Sequence, residues 1–544
     1  MADAALPQTP GRGFDGPLTA DSGPLGKHSE VNWTAVYLGF GGMAIGQFMA
    51  LLDIQIVAAA LAEIQAGVGA SADQIGWIQS IYLLAEVVAI PLSAYLSKMW
   101  GTRPFYVGAT AAFIVTSVLA GLSGSIEMLI FMRALQGLAA GAMIPATFAV
   151  AMTVFPLDKR ITANIIVGVI VTFAPTIGPT LGGHLAEWTS WRWLFFVNVI
   201  PGLLVIFLVG RWGDFDRGDP RLARGIDWLG LVLMSVFLLS MQYVLEEGAS
   251  EGWFREDLIL WLAVTAAVTG AVFVWRQLSY RQPIVSLKPF GDRNFTLGVV
   301  MNFITGMSLF GGTFILPLFL AQVRGYSAAE IGTTMLVSGL VMFLSAPVLG
   351  RVVRLFDFRI SLVLGLLLTG WGMGLGVRVT AEWGFWEFAG LQAARGLGAM
   401  VAMIAASQMS VATMPAHMMK DASGLLNLIR NVGGAVGMAM ISTVLGHQGA
   451  VHYGAITARV TESNIASQDF LAGLVARMAQ LGVADPEGAG RKAVAFMMRQ
   501  EATVLAYGDA FGLLAVALIA AAVLAFFAAP PVNANTAPPP EEDL

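Results

Sequence analysis

The clearest ionisable side chains inside otherwise apolar stretches are Asp53, Glu86 and Arg133 in the first half of the chain, and Arg395 and Arg430 in the second. A charge held in hydrocarbon costs a few kcal/mol at least, so such residues mark ion or substrate pathways by default. Gln79, Tyr82 and Glu86 fall at i, i+3 and i+7, which predicts a polar stripe along one helix face, lining a cavity. Burial favours a neutral carboxyl and a neighbouring cation favours a charged one, so a carboxyl close to Arg133 can change protonation as a cavity changes shape. That is the chemistry needed to couple transport to a proton gradient. The competing reading is a static ion pair that only holds helices together. A third signal is the string Ala174-Pro175-Thr176-Ile177-Gly178-Pro179-Thr180-Leu181-Gly182-Gly183. Its prolines remove helix donors and bend the helix, while its glycines let another helix approach closely, giving a kinked, tightly packed hinge.

Other chemistries find little support. With no cysteine, neither disulfides nor thiol chemistry is available, and the five histidines form no metal-ligand pattern. No nucleophile and base are spaced for catalysis, and Lys27, in the lone Gly-Lys pair, is followed by His28 and fits no nucleotide-binding loop. The expectation is therefore no catalytic residue, no metal and no cofactor. A net charge of −5 without a basic patch gives no reason to expect a nucleic-acid partner.

The elements that must carry these residues are membrane helices. The 544 residues are 57% hydrophobic and 12% charged, with a mean hydropathy of +0.73. Apolar blocks of roughly 20 residues match a ~30 Å hydrocarbon core, and continuous rather than alternating blocks select helices over a barrel. Spans are expected at 34–60, 74–97, 104–124, 127–152, 161–186, 192–211, 227–246, 257–277, 295–321, 327–350, 359–378, 384–411, 421–446 and 504–529. With both termini cytoplasmic, about eighteen lysines and arginines fall in the inner tail and short inner loops, against Arg192, Arg255, Arg324 and Arg378 in the outer ones. Residues 1–33 and 530–544 are expected as disordered cytoplasmic tails, the first lacking the layout of a cleavable signal peptide. Residues 447–503 form a long outer loop, in which Ile465, Phe470, Leu471, Leu474, Val475, Met478 and Leu481 suggest a short amphipathic helix. Such a helix lies on the membrane or over the transporter, or docks an extracytoplasmic partner.

An internal repeat organises the spans. Pro91, Ala94, Lys98, Trp100 and Arg103 align without gaps on Pro347, Gly350, Arg354, Phe356 and Arg359, and Gln136-Gly137-Leu138 stands opposite Arg395-Gly396-Leu397 at nearly the same offset. The repeat implies an all-α polytopic fold: a six-helix bundle at 34–211, a two-helix insert at 227–277 and a second six-helix bundle at 295–529. Binding sites in such folds lie near the midplane between the halves, where Gln136, Arg395, Asn427 and Arg430 are expected beside Gln79 and Tyr82.

Arg133-Ala134-Leu135-Gln136-Gly137 resembles the span-four motif of the major facilitator superfamily, and the Gly178-Pro179…Gly182-Gly183 string is similar to the span-five motif of its antiporters. Leu52-Asp53, Trp191-Arg192-Trp193 with Phe195, Asn198, Pro201 and Gly202, and Asn427…Arg430 with Gly433 and Gly434 resemble the fourteen-helix drug:proton antiporter branch, of the EmrB/QacA type. The resemblance implies export of small amphipathic or lipophilic compounds in exchange for protons across a bacterial inner membrane. It assigns proton coupling to Asp53 and Arg133, antiport to Pro175, Gly178, Pro179, Gly182 and Gly183, and gating to the loop from Ala94 through Lys98 and Gly101 to Arg103, with Arg354 and Arg359 as repeat counterparts. It also suggests a periplasmic adaptor and an outer-membrane channel as partners. Rival readings are a proton-coupled symporter or importer and a transporter-fold sensor. Glu86 lies outside the resemblance. So do Gln55 and Ala58, where the family commonly has Thr and Asn, and Ala94 and Lys98, which replace the usual Gly and stand near the usual acidic position.

Overall fold

The computed structural model describes residues 32–355, 357–415, 418–460 and 465–526. Its long helices are α1 (Trp33–Ala59), α2 (Trp77–Trp100), α3 (Thr102–Gly121), α4 (Ile126–Thr153), α5 (Leu157–Trp188), α6 (Trp193–Trp212), α7 (Trp228–Glu247), α8 (Asp257–Ser279), α9 (Arg293–Gln322), α10 (Ala328–Leu355), α11 (Phe358–Leu375), α12 (Phe385–Val411), α13 (Met419–Arg459) and α14 (Pro486–Ala525). Twelve among the described residues are long and apolar enough to cross a membrane, and α5, bent by 43° between Thr162–Pro175 and Ile177–Trp188, makes thirteen. α10 occupies the remaining expected position, with Glu330–Ala346 as its apolar stretch. Side chains close several N-termini: Asn32 accepts from the Ala35 N–H at 3.2 Å, Ser125 from Met128 at 3.3 Å and Asp292 from Phe295 at 2.8 Å.

Packing reproduces the repeat helix by helix. In the first half α1 packs on α4, α5 and α6, α2 on α4, and α3 on α4 and α6; in the second, α9 packs on α12, α13 and α14, α10 on α12, and α11 on α12 and α14. The halves meet where α5 lies on α10 and α2 on α13, the same relation exchanged. The most apolar window of α4 is 89% buried and that of α8 only 22%, which separates the inner helices from the lipid-facing insert. Trp228 and Trp275 at one end of the insert, and Trp261 at the other, are exposed as interfacial anchors.

Two extents differ from expectation. α13 has 41 residues and α14 has 40, each about 60 Å long at 1.5 Å per residue, against a ~30 Å hydrocarbon core. Both project beyond the bilayer into the region expected as a loop, and the short helix Ile465–Gln480 packs along the projecting part of α14. Hydropathy reports where the bilayer ends, whereas a helix ends only where its backbone loses partners. Opposite this hairpin end lies a basic end, which carries most of the loop lysines and arginines.

Helix spacing inside each half is set by small residues. A Cβ on Gly137 would lie 2.3 Å from the Tyr82 carbonyl oxygen, so α2 and α4 meet backbone to backbone there. Gly137→Val should therefore destabilise the purified protein by at least the ~1–3 kcal/mol of an overpacked core. Gly108→Ala, with nothing within 4 Å of the new methyl, should leave the unfolding temperature no lower, and alanine's better helix propensity favours a small rise. Thermal unfolding in detergent checks both.

Candidate transport site

Asp53 and Arg133 are both fully buried and form an ion pair in the first half. Four helices position it. Gln136 Nε2 on α4 and Asn198 Nδ2 at the start of α6 donate to Asp53 Oδ1 at 3.1 and 2.7 Å, and Gln136 also donates to Ser117 Oγ on α3 at 2.6 Å. Arg133 Nε donates to the Ile78 carbonyl at 3.2 Å, its NH1 also donates to Gln136 Oε1 at 2.9 Å, and its guanidinium lies 4.1 Å from the Tyr82 ring centroid. The charges thus sit on a lattice of neutral donors and acceptors, the arrangement that makes a buried pair tolerable.

The second half reverses the order. At the repeat offset Arg133 stands opposite Gln392 and Gln136 opposite Arg395, and Arg395 Nε donates to Gln392 Oε1 at 2.8 Å. Where the first half has Asp53, this offset reaches Gly312, on which a Cβ would lie 3.2 Å from the Arg395 guanidinium. Ser338 Oγ accepts from Arg395 at 3.2 Å, so this buried cation is dressed by neutral groups alone among the partners resolved.

A cavity of about 350 Å³ lies between the halves, lined on α2 by Gln79, Leu83, Glu86 and Val87, and on α13 by residues from Asn427 and Arg430 to Ser442. An adjoining lobe, also about 350 Å³, shares Gln55, Val171, Pro175, Phe310, Phe314 and Met438 with it. These positions belong to the part of the interface toward the hairpin end. The walls are mainly apolar with a few convergent polar tips, the usual make-up of a small-molecule site. Glu86 is 4% exposed, and its Oε2 has no hydrogen-bond partner. Arg430 is equally buried, donates to Asn302 Oδ1 at 3.1 Å and leaves its Nε unpartnered.

The expected stripe on α2 splits. Gln79 and Glu86 line the cavity, while Tyr82 turns beneath Arg133 and donates to the Ala50 carbonyl at 3.1 Å. Position 82 is rotated by about 60° from Gln79 and about 40° from Glu86 on a helix of 3.6 residues per turn, enough to face the next helix. Gln136 and Arg395 also stand away from the cavity, each inside its own half, whereas Asn427 and Arg430 line it. In the α5 string Pro175 lines the cavity beside the bend, and a Cβ on Gly178 or Gly182 would lie 2.4 Å from Gln55 Cβ or 2.5 Å from the Ile56 carbonyl oxygen of α1. Pro179 and Gly183 follow in the same helix, half-buried.

At the basic end the loop after α2 makes contacts that its unusual residues did not foretell. Ala94 faces Gly424 of α13, Lys98 forms an ion pair with Asp421, and Lys420 pairs with Asp216, which also accepts from the Thr102 N–H at 2.7 Å and Thr102 Oγ1 at 2.8 Å. The basic residue near the usual acidic position therefore has its own acidic partner across the halves. Gly101 holds φ +87° at the α2–α3 corner, a conformation costly for other residues. Arg103 is exposed, Arg359 is half-buried at the start of α11, and the side chain of Arg354 lies outside the described residues. Glu246, Asp421, Lys420 and Asp216 were missed from sequence because they stand at span ends, where charge is ordinary. The spacing of Gln242 and Glu246, one helical turn apart, was the available signal for the first of these.

Paired six-helix bundles, an ion-paired basic end and a polar-tipped apolar cavity at the midline define a membrane transporter, not an enzyme. The chain belongs to the Major Facilitator Superfamily, which its residues 43–438 match, and within it to the EmrB type of drug:proton antiporters. It is 35% identical to the colistin resistance protein EmrB of Acinetobacter baumannii, over 92% of this chain and 99% of that protein. It is 28% identical to the multidrug export protein EmrB of Escherichia coli K12, over 91% and 95%. It is 27% identical to the fatty acid resistance protein FarB of Neisseria gonorrhoeae, over 86% and 90%. Among solved structures the fold is shared with the human organic anion transporter TETRAN, at a TM-score of 0.52 and 12% identity over 89% of this chain and 99% of that one. It is shared also with a peptide transporter POT, at 0.55 and 14% over 90% and 94%.

The Lys98–Asp421 pair is partly buried, its side chains 28% and 13% exposed, and should contribute at least the roughly 0.2–1 kcal/mol of an exposed ion pair, enough to bias two states. Lys98→Asp should raise the labelling rate of a single cysteine introduced at the basic end by about fivefold, and Lys98→Asp with Asp421→Lys should restore it. The absence of native cysteine removes the background. A double reversal that labels as fast as the single one would show that this pair does not hold the end closed.

Proposed function

We propose that this protein exports small amphipathic or lipophilic molecules from the bacterial cytoplasm across the inner membrane, in exchange for protons, with both termini and the basic end cytoplasmic. The observation that carries the reading is Glu86: a buried carboxyl with an unpartnered oxygen, facing an apolar cavity of about 350 Å³ one layer out from the Asp53–Arg133 pair. In this position the carboxyl meets cargo and protons in the same space. Proton occupancy of Glu86 and of Asp53 then competes with cargo or with Arg133, and alternating access delivers the two to opposite sides. The α5 string supports antiport by packing α5 tightly on α1 beside the bend, so that both move as one body. The Lys98–Asp421 and Lys420–Asp216 pairs act as the cytoplasmic gate of the cavity that opens toward the hairpin end.

Proteoliposomes carrying a pH gradient test the exchange. Adding cargo on the side opposite the protons should alkalinise the acidic compartment, whereas a symporter acidifies the other one only when both solutes enter together, and a sensor moves no protons. Absence of any cargo-dependent proton movement would remove the reading. Glu86→Gln should reduce proton-coupled transport at least about tenfold with the fold retained, since it removes one titrating group and keeps the side chain's volume. Asp53→Asn should reduce transport as strongly, but it also leaves the buried Arg133 guanidinium without its counter-charge and should lower stability. Arg133→Ala is a poorer probe because it strands the buried Asp53 carboxylate, at a cost of about 3–5 kcal/mol.

The projecting α13–α14 hairpin is the proposed seat of a periplasmic adaptor that leads to an outer-membrane channel. Phe470 and Phe496 are 54% and 68% exposed on it, beyond the reach of lipid. Phe470→Glu with Phe496→Glu should cut co-purification of the adaptor about tenfold while leaving exchange in proteoliposomes intact. Undiminished co-purification would place the adaptor elsewhere.

A further inference from the structure

The two helices of the insert are not equivalent. α8 faces lipid, whereas α7 lies across the cleft between α2 and α13 and packs on both. Three contacts clamp it near the hairpin end: Ser80 Oγ of α2 donates to Glu246 Oε1 at 2.9 Å, the rings of Trp77 and Tyr243 stack at 5.7 Å, and Trp253 Nε1 donates to Thr443 Oγ1 of α13 at 3.0 Å. At the other end Asp227 accepts from Arg276 Nε and the Gly230 N–H, both at 2.9 Å, which ties the start of α7 to the end of α8. Thus held, α7 turns Gln242, Leu245 and Glu246 into the cavity and seals its side against lipid.

Glu246 brings a second carboxylate to a wall that already holds Glu86. Its Oε2 is buried without a hydrogen-bond partner, as is Oε2 of Glu86, and neither residue forms an ion pair among the described residues. Against the two carboxylates the cavity sets one guanidinium, Arg430, and otherwise amides, a hydroxyl and apolar or aromatic walls. An ionised carboxylate in such a wall is costly until a cation meets it. Glu86 sits nearly two turns deeper along α2 than Ser80, the residue that holds Glu246, so the carboxylates mark two depths of one path.

We propose that Glu246 is a specificity residue of the cargo site: through α7 the insert supplies the outer of two carboxylates that select amphipathic organic cations. The inference rests on the export reading, because it takes the cavity as the seat of the cargo. Glu86 receives the positive centre at depth, the aromatic and aliphatic walls cover its apolar body, and Glu246 holds the same charge nearer the exit. On this view the insert is part of the transport path.

Tetraphenylphosphonium and tetraphenylborate have the same shape and opposite charge, which makes them the probes. With the full chain in lipid nanodiscs, the wild type should bind the phosphonium more tightly than the borate. Glu246→Gln should weaken phosphonium binding about tenfold and leave borate binding no weaker. Glu246→Asp and Ser80→Ala, which keep the carboxylate, should stay within about threefold of wild type. Parallel loss of both probes in Glu246→Gln would mark a packing role and overturn the proposal, as would unchanged phosphonium binding or a wild type without cation preference. Proton flux in proteoliposomes separates the two levels. Phosphonium-driven proton movement that survives Glu246→Gln unchanged removes this proposal alone, whereas no proton movement with any cargo removes the export reading beneath it.

Discussion

An ionised carboxylate taken out of water loses several kcal/mol of hydration that only a well-placed cation and further hydrogen bonds return, and Asp53 meets that demand in the centre of the first half. Arg133 supplies the charge, Gln136 and Asn198 occupy the second oxygen, and Ser117 ties both amides to α3. Four helices converge on one carboxyl group as a result. Tyr82 closes the lattice from α2 by covering the guanidinium and bonding to α1. The pair thereby fixes the mutual positions of α1, α2, α3, α4 and α6, and it sets the surface on which Glu86 faces the cavity. A change in the charge of Asp53 would be felt by all of these helices at once, which is the structural basis for the proton coupling proposed above.

The second half has the same helix contacts with different chemistry. The arginine and glutamine on α12 have exchanged places relative to α4, and glycine stands where the carboxylate would be. Arg395 is consequently held by a glutamine and a serine, while Arg430 reaches the cavity with part of its guanidinium unpartnered. Among the described residues the buried carboxyls, Asp53, Glu86 and Asp227, thus lie in the first half and the insert. The second half offers cations and packing surface. Such a division suits an exchanger in which one bundle carries the proton-sensitive groups and the other moves against it. The closed basic end fits the same picture: Lys98 and Asp216 of the first half meet Asp421 and Lys420 of the second, with opposite charges in both pairs.

Two additions distinguish this chain from a plain pair of six-helix bundles. The insert fills the angle between α2 and α13 and places polar side chains in the cavity wall, and the extended α13 and α14 carry apolar side chains well past the bilayer. Each sits on the side of the molecule toward which the cavity lies.

The helical class, the order of the long helices and the presence of Asp53, Glu86, Arg133 and Arg430 as charges held inside apolar stretches were legible in the sequence. The reason is that hydrocarbon is an unforgiving solvent: it demands long apolar runs, and it makes every retained charge conspicuous. Which of those charges meet was decided only by the tertiary structure. Asp53 and Arg133 lie 80 positions apart yet form an ion pair, while Glu86 belongs to the cavity and Tyr82, although close to it in sequence, does not. Periodicity places a residue on a helix face to within a sector, but the neighbour occupying that sector depends on how two helices cross. Glu246, Lys98 and Asp421 were hidden for the opposite reason. At the end of a span a charge costs nothing to place, so its sequence signal is faint, and only the packing of α7 and α13 against α2 turned these residues into a cavity wall and a closure.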